Sequence, residues 1–235
     1  MSEAWKAKRF WTDTQVKPAE GGYTVALDDR PLRTPQKAPL VLPTQALAEA
    51  VAAEWAAQED EIRPEAMPFT RTSNSAIDKV AVQHDEVADL LAAYGETDLV
   101  CYRAEGPEGL VARQAEAWDP VLDWAEQTLD VRLVPVTGII PAPQDPAALD
   151  RLSTLTHAFG AFELAAFHDL VSLSGSLLLG FATVRGGKTP DEFWDLSRID
   201  EQWQEDQWGA DAEATEHSLL KKQAFLHAAR FFSLL

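Results

Sequence analysis

Cysteine is almost absent from this sequence, in which Cys101 is the only one among 235 residues. A single cysteine can form neither an internal disulfide nor a thiolate-rich metal site, and it indicates a reducing compartment. The N-terminal stretch MSEAWKAKRFW also lacks the apolar segment of a secretory signal and the Arg- and Ser-rich character of an organellar presequence. From these absences we expect a cytoplasmic protein.

Basic residues are scarce as well, with 20 Lys and Arg against 38 Asp and Glu and a formal net charge of −18. An acidic surface of this kind repels the phosphates of nucleic acids and of anionic lipids. We therefore expect no nucleic-acid partner and no insertion into a membrane. The charge favours solubility, but by itself it does not identify a protein partner.

Long uninterrupted apolar runs are also missing. The most apolar stretch, 159–184, is long enough to span a bilayer, but Glu163, His168 and Asp169 interrupt it, and Gly175 and Gly180 break it up. Ionisable side chains at this density are costly inside a membrane. The stretch therefore predicts two buried helices of a packed core.

The first forty-odd residues have the pattern of strands and turns. Phe10 to Val16 reads as one strand, and the alternation of Tyr23, Val25 and Leu27 predicts the next. Four prolines between residues 31 and 43 keep this region out of helix and suit edge strands. We expect a small, open antiparallel sheet.

A helix is predicted to follow. Thr44 can cap it, and Leu47, Val51 and Trp55 recur every four residues on one face, so we assign these three side chains a structural role. The segment 61–69 is interpreted as a linker or an extended arm, with helical patterns resuming near Ser73. We expect an N-terminal β domain, with this helix and arm, over 1–75 and a C-terminal helical domain over 76–235.

The second part is predicted to be almost entirely helical, with Val131 to Val136 as a short strand. The predicted helices cover 76–95, 107–129, 147–173, 175–184, 190–208 and 212–234. Thr189 and Glu192 form a capping box around Pro190, which fixes one helix start. The fold class is therefore α+β, with a small antiparallel β domain followed by a larger, mainly α-helical domain.

Motifs that carry chemistry are not found. Gly187-Lys188-Thr189 resembles the end of a phosphate-binding loop, but Ala182 stands where that motif needs glycine, so a helix stop at Gly186-Gly187 is the better interpretation. No two of the five histidines are three or four residues apart, which rules out a metal-binding pair on one helix. We predict no catalytic residue, no cofactor and no metal.

Several segments together resemble the F-type ATP synthase assembly chaperones that bind the alpha subunit. These segments are Pro31–Pro35, Leu40–Pro43, Glu54-Trp55 with Gln58, Met67–Thr70, Asn74, Asp78, Asp98–Arg103, Trp118–Pro120 with Trp124-Ala125, Ser197–Ile199 and Gln207–Gly209. The resemblance covers most of the chain. It implies a β domain joined to a helical domain, a role in keeping newly made alpha subunit soluble until beta subunits join it, and no enzymatic activity.

The predicted helix 190–208 has two distinct faces. At 100° per residue Leu196, Ile199 and Trp203 fall on one side, which we expect to face the core, so Trp203 is assigned a structural role. The other side mixes acids with aromatic residues, a composition typical of a binding surface.

The predicted partner-binding residues lie on or beside that other side, and they are Asp200, Glu201, Glu205, Trp194 and Trp208. The resemblance implies that the acidic position at Asp200, where the family more often has Glu, belongs to the client-binding region. Arg198 can also pair with Glu201 one turn further on, which is the structural alternative for this face.

Two other functions stay open on the sequence alone. One is a small-molecule enzyme with a pocket between the two domains, because such clefts are common ligand sites. The other is a plain structural adaptor. A monomer is expected in each case.

Overall fold

The chain divides into two compact units in the computed structural model, which describes residues 8–138 and 142–235. One unit contains the described residues through Gln83 together with Ala161–Ala165 and Phe231–Leu235, and the other contains His84–Gly160 and Ala166–Arg230. The sequence suggested a single cut after residue 75. The first unit instead also includes two segments from later in the chain.

The first unit contains the antiparallel sheet. Its elements are β1 (Thr14–Ala19), β2 (Gly22–Leu27), β3 (Arg30–Pro31), α1 (Gln45–Ala56) and α2 (Pro68–Ser75). The strands pair in the order β1-β2-β3, with Val16 opposite Val25. The predicted small antiparallel sheet is therefore confirmed, although its first strand begins at Thr14 and not at Phe10.

Helix α1 begins where the sequence predicts. The Thr44 hydroxyl oxygen accepts a hydrogen bond from the Leu47 N–H at 3.1 Å, as an N-cap does. Leu47 and Val51 are completely buried. Trp55 is only half-buried, and its ring makes an edge contact with Trp11 at a centroid distance of 5.2 Å.

The arm after α1 is held by a carboxylate. Glu54 accepts hydrogen bonds from the N–H groups of Phe69 and Thr70 at 2.6 and 2.8 Å, and from the Thr70 hydroxyl at 2.7 Å. Burial raises the pKa of Glu54. These bonds satisfy the free N–H groups of the first turn of α2, so the helix begins at Pro68 and not near Ser73.

Among the described residues outside β1–β3, α1 and α2, helices predominate and one pair of short parallel strands is present. The elements here are α3 (His84–Ala92), β4 (Tyr102–Arg103), α4 (Glu108–Leu129), β5 (Val136–Thr137), α5 (Pro146–His157), α6 (Ala161–Ser174), α7 (Leu177–Arg185), α8 (Pro190–Leu196), α9 (Ile199–Trp208) and α10 (Ala212–Phe232). The predicted α+β class is confirmed. The strand predicted at Val131–Val136 is wrong, because only Val136 and Thr137 pair, with β4.

The predicted helix 190–208 is interrupted between Leu196 and Ile199. The Trp118 indole N–H donates to the Leu196 carbonyl at 2.8 Å, and the Ser197 hydroxyl donates to the Trp194 carbonyl at 2.6 Å. A carbonyl that bonds outside the helical ladder no longer needs the N–H four residues on. Helix α9 therefore starts afresh, with its faces rotated relative to α8.

Helices α6 and α7 correspond to the apolar stretch of the sequence. The first six residues of α7, Leu177–Ala182, are buried. Helix α7 ends at Arg185, and the Gly186 N–H bonds back to the Ala182 carbonyl at 2.6 Å, which confirms the helix stop predicted for this glycine. Among the described helices, none has both the length and the apolar character that crossing a membrane requires.

Candidate partner-binding cleft

An open cleft of about 920 Å³ lies beside α4 and α9 in the second unit. Its lining residues are Tyr102, Arg103, Ala104, Glu105, Gly106, Pro107, Leu110, Gln114, Gly138, Asp200, Trp203, Gln204 and Trp208. The cleft contains Asp200 and Trp208, two of the predicted partner-binding residues. It also contains Trp203, which the sequence assigned to the core.

Asp200 is held in place by a buried glutamine. Its Oδ1 accepts a hydrogen bond from Gln114 Nε2 at 2.6 Å, and Gln114 Oε1 in turn accepts from the Ala104 N–H at 2.8 Å. Gln114 is only 2% exposed, so its amide has little freedom to turn. The arrangement fixes the Asp200 carboxylate at the cleft, and a carboxylate has acceptor capacity beyond the one bond from Gln114.

Trp203 packs on α4 because Gly109 has no side chain. A Cβ at Gly109 would lie 2.7 Å from Cη2 of the Trp203 ring, closer than any side chain tolerates. The Arg113 guanidinium lies over the ring at 5.7 Å and is paired with Asp206 at 2.8 Å. One part of the half-buried indole thus packs against α4, and another part lines the cleft.

Trp208 is the most exposed aromatic side chain at the cleft. It is the last residue of α9 and is 79% exposed. Gly209 follows with φ +87°, a left-handed conformation that terminates the helix and that glycine adopts without strain. Trp208, Trp203, Pro107 and Leu110 together give the cleft an apolar surface. Exposed apolar patches of this kind mark interaction sites.

Trp194 does not lie in the cleft, which corrects the sequence prediction. It is 3% exposed, and its ring packs against Phe225 at 5.6 Å and beneath the Arg198 guanidinium at 5.0 Å. The prediction assumed one continuous helix. Because the chain breaks before Ile199, the faces of α9 are rotated relative to those of α8. Trp194 on α8 therefore faces the core, while Glu201 and Glu205 on α9 face solvent.

Glu201 and Glu205 are exposed on α9 but do not line the cleft. Glu201 pairs with Arg198 at 2.8 Å, which is the structural alternative that the sequence left open for this face. An exposed ion pair of this kind adds only about 0–1 kcal/mol to stability. The involvement of Glu201 and Glu205 in partner binding stays a proposal.

The charges that the cleft offers to a partner are mainly negative. Arg103 lines it, but its guanidinium is 2.8 Å from Asp119, and its Nε donates to the Val100 carbonyl at 2.9 Å. Asp200 and Glu105 contribute carboxylates. An aromatic surface with acidic groups beside it suits a basic, partly apolar protein surface.

Sequence reasoning missed several residues of this site. Gln114 and Gly109 act through contacts with residues far away along the chain, and neither stands out in a local pattern. A glycine in the first turn of a long helix is the one signal available, because it suggests close approach of another group.

Comparisons with known proteins agree with this architecture. A family model described as ATP12 chaperone protein matches residues 8–126. The chain is 28% identical over 221 residues to the mitochondrial protein atp12 of Schizosaccharomyces pombe (strain 972), a match that covers 89% of this chain and 76% of that protein.

Two solved structures are similar along nearly the whole chain. The crystal structure of Atp12 from Paracoccus denitrificans has 50% sequence identity and a TM-score of 0.96, covering 98% of this chain and 99% of that one. A mutant of P. denitrificans Atp12p in which lysine replaces an aspartate has 49% identity and a TM-score of 0.95, covering 97% of each chain.

Proposed function

The chain belongs to the ATP12 chaperone protein family, and we propose that it binds the unassembled alpha subunit of the F-type ATP synthase and keeps it soluble for assembly of the alpha/beta ring. The observation that carries the proposal is the cleft, in which the exposed Trp208 and the positioned carboxylate of Asp200 lie together. The segments that resemble alpha-binding chaperones support the choice of client. We propose that the protein acts as a monomer in the cytoplasm.

The physical need for such a chaperone follows from the symmetry of a ring. A subunit that alternates with another must expose, before assembly, the apolar surface that its neighbour will cover. An exposed apolar surface as large as a subunit interface drives aggregation. The aromatic surface formed by Trp203 and Trp208 offers temporary cover for part of such a patch.

Release requires that the complex not be too stable. A small apolar centre with a polar rim gives specific binding that a larger competing interface can displace. The carboxylate of Asp200 makes binding more specific, because a basic or hydrogen-bond-donating group on the client would meet a carboxylate that Gln114 holds in one orientation. The overall charge of −18 would speed encounter with a basic client surface.

We propose no catalytic step for this protein. The cleft residues are suited to hold another protein by packing and hydrogen bonding, and the Gly187-Lys188-Thr189 segment belongs to a helix stop and the following cap. The alternative, a small-molecule enzyme, makes a different prediction. A nucleotide or metabolite that bound tightly would raise the melting temperature of the isolated chain.

Co-expression with the alpha subunit and, separately, with the beta subunit tests the proposal. We expect alpha to become soluble and to co-purify with the chain, whereas beta does not. The Trp208→Ala variant removes the exposed indole of the cleft without touching the core, and we expect it to capture less alpha. Recovery of beta in place of alpha, or of neither subunit, would overturn the proposed client.

A further inference from the structure

His84 and His157 lie side by side in the second unit, although they belong to different helices. His84 begins α3, His157 ends α5, and the ring centroids are 6.3 Å apart. Asp85 lies between the two rings, with its Oδ1 3.3 Å from His84 Nδ1 and 3.7 Å from His157 Nδ1. The packing of α3 against α5 thus creates a cluster that no spacing along the sequence could reveal.

The second nitrogen of each ring already has a partner. His84 Nε2 is 2.7 Å from the Phe159 carbonyl oxygen, and His157 Nε2 is 2.8 Å from Asp89 Oδ1. A carbonyl and a carboxylate can only accept, so in each neutral ring Nε2 carries the hydrogen and Nδ1 carries the lone pair. Histidines that bind metals are usually oriented by this kind of hydrogen bond from the other ring nitrogen.

Three acceptors therefore converge on one place. The Nδ1 lone pairs of His84 and His157 and the carboxylate of Asp85 repel one another unless a positive charge lies among them. A proton can supply that charge, and the hydrogen bond with Phe159 raises the pKa of His84. A divalent cation supplies more charge and can engage all three groups at once.

The distances also fit a metal ion. All three ligand atoms lie within 4.8 Å of one another. Bonds of about 2.0–2.1 Å at tetrahedral angles would place ligand atoms about 3.3–3.5 Å apart. The two separations from Asp85, 3.3 and 3.7 Å, are close to this, and the two imidazole nitrogens, at most 4.8 Å apart, would have to move toward each other by a side-chain rotation. Asp85 is well exposed, so an ion can enter from solvent and keep water as a fourth ligand.

We propose that His84, Asp85 and His157 form a binding site for one divalent transition-metal ion, with zinc(II) the ion that best matches two imidazoles and a carboxylate. The ion would join the first turn of α3 to the last turn of α5. This site is separate from the proposed cleft, and the proposal does not depend on the client.

Zinc titration of protein that carries no polyhistidine tag and has been treated with chelator tests the proposal. By calorimetry we expect saturable binding of about one equivalent, together with a rise in melting temperature. Cobalt(II) is the second probe, and we expect the intense visible absorption of a four-coordinate ion. Absence of saturable zinc binding, or a cobalt spectrum identical to that of the free ion, would overturn the site.

Variants assign the ligands. We expect His84→Ala, His157→Ala and Asp85→Ala each to abolish the cobalt spectrum, and Asp89→Asn to weaken zinc binding by about 10–100-fold because it disturbs only the orientation of His157. His168→Ala is the matched control, since His168 Nδ1 also lies 3.0 Å from a neighbouring carboxylate, that of Asp169. Binding that survives His84→Ala with His157→Ala, or that His168→Ala removes equally, would refute the assignment. The wild-type cobalt spectrum decides the matter even if a variant does not fold.

Discussion

Replacing Asp98 with alanine is expected to lower the free energy of unfolding by about 3 kcal/mol or more near pH 5. Asp98 is completely buried, and its carboxylate accepts hydrogen bonds from the N–H groups of Leu178 at 3.0 Å and Val100 at 3.2 Å. Leu178 belongs to the first turn of α7, which is buried and cannot turn its free N–H groups to water. Alanine would leave both donors without a partner, each at a cost of about 1–3 kcal/mol.

Chemical denaturation followed by circular dichroism measures this effect. Asp150→Ala is the matched control, because Asp150 is exposed on α5 and its loss should change stability by less than about 0.5 kcal/mol. Equal stability of the two variants would contradict the role assigned to Asp98.

The same residue predicts a pH dependence. Burial raises the pKa of Asp98 from its ordinary value of 3.8 to about 6. Because the folded protein then binds this proton more tightly than the unfolded chain, the contribution of Asp98 is greatest below about pH 4 and falls as pH rises toward 6. The wild type should lose up to about 3 kcal/mol over this range relative to Asp98→Asn, which cannot titrate. A difference that grows in favour of the wild type with rising pH would mean that the pKa is lowered.

Asp200→Lys is expected to weaken capture of the alpha subunit by at least about 10-fold while the chain stays folded. The substitution places a positive charge where the client is proposed to present a basic or donor group. The two groups would repel each other, and the repulsion would be strong because client binding excludes part of the water from the cleft. It also removes the acceptor for Gln114 Nε2, so a modest fall in melting temperature is expected. Asp200→Asn keeps that acceptor and removes only the charge, and it should weaken capture less.

Glu205→Lys is the matched control for charge. It makes the same change of two units on the same helix, at an exposed position that does not line the cleft. Pull-down of alpha beside circular dichroism distinguishes the outcomes. We expect Glu205→Lys to weaken capture less than Asp200→Lys. If the two variants lose capture equally, net charge or the exposed face of α9, and not the cleft, controls binding, and if a folded Asp200→Lys variant binds normally, the cleft is not the site.

Much of the fold was predictable because it depends on local chemistry. Alternation through Tyr23, Val25 and Leu27 gave the strand, and Thr44 and Thr189 gave helix starts that the structure confirms with the expected hydrogen bonds. A helix predicted over 107–129 is present as α4. Such patterns can be predicted from sequence because each depends on residues within a few positions of the strand or helix that it defines.

The breaks between helices were not predictable in the same way. The interruption after Leu196 depends on the indole of Trp118, which comes from α4. The sequence near residue 196 does not indicate that the indole N–H of Trp118 will bond to the Leu196 carbonyl. Because the phase of a helix restarts at a break, one missed interruption was enough to misplace Trp194.

Several segments that carry the family resemblance hold the fold together, and do not line the cleft. The Thr34 hydroxyl donates to Asp78 at 2.6 Å, and Glu54 caps α2 through Phe69 and Thr70. Asp200 differs, because it lies in the cleft and has one oxygen turned to a structural partner. The resemblance pointed to Asp200, but only the structure explains how Gln114 positions it.

The most direct test of the central claim is site-specific photocrosslinking from the cleft. A photoreactive residue in place of Gln204 keeps Asp200, Trp203 and Trp208 intact, and the same residue in place of Leu90, which is exposed on α3, is the control. With both variants mixed with unassembled alpha subunit, the account predicts a covalent adduct from position 204 and little or none from position 90. Adducts in equal yield from both positions, or from position 90 alone, would contradict the cleft as the site of client binding.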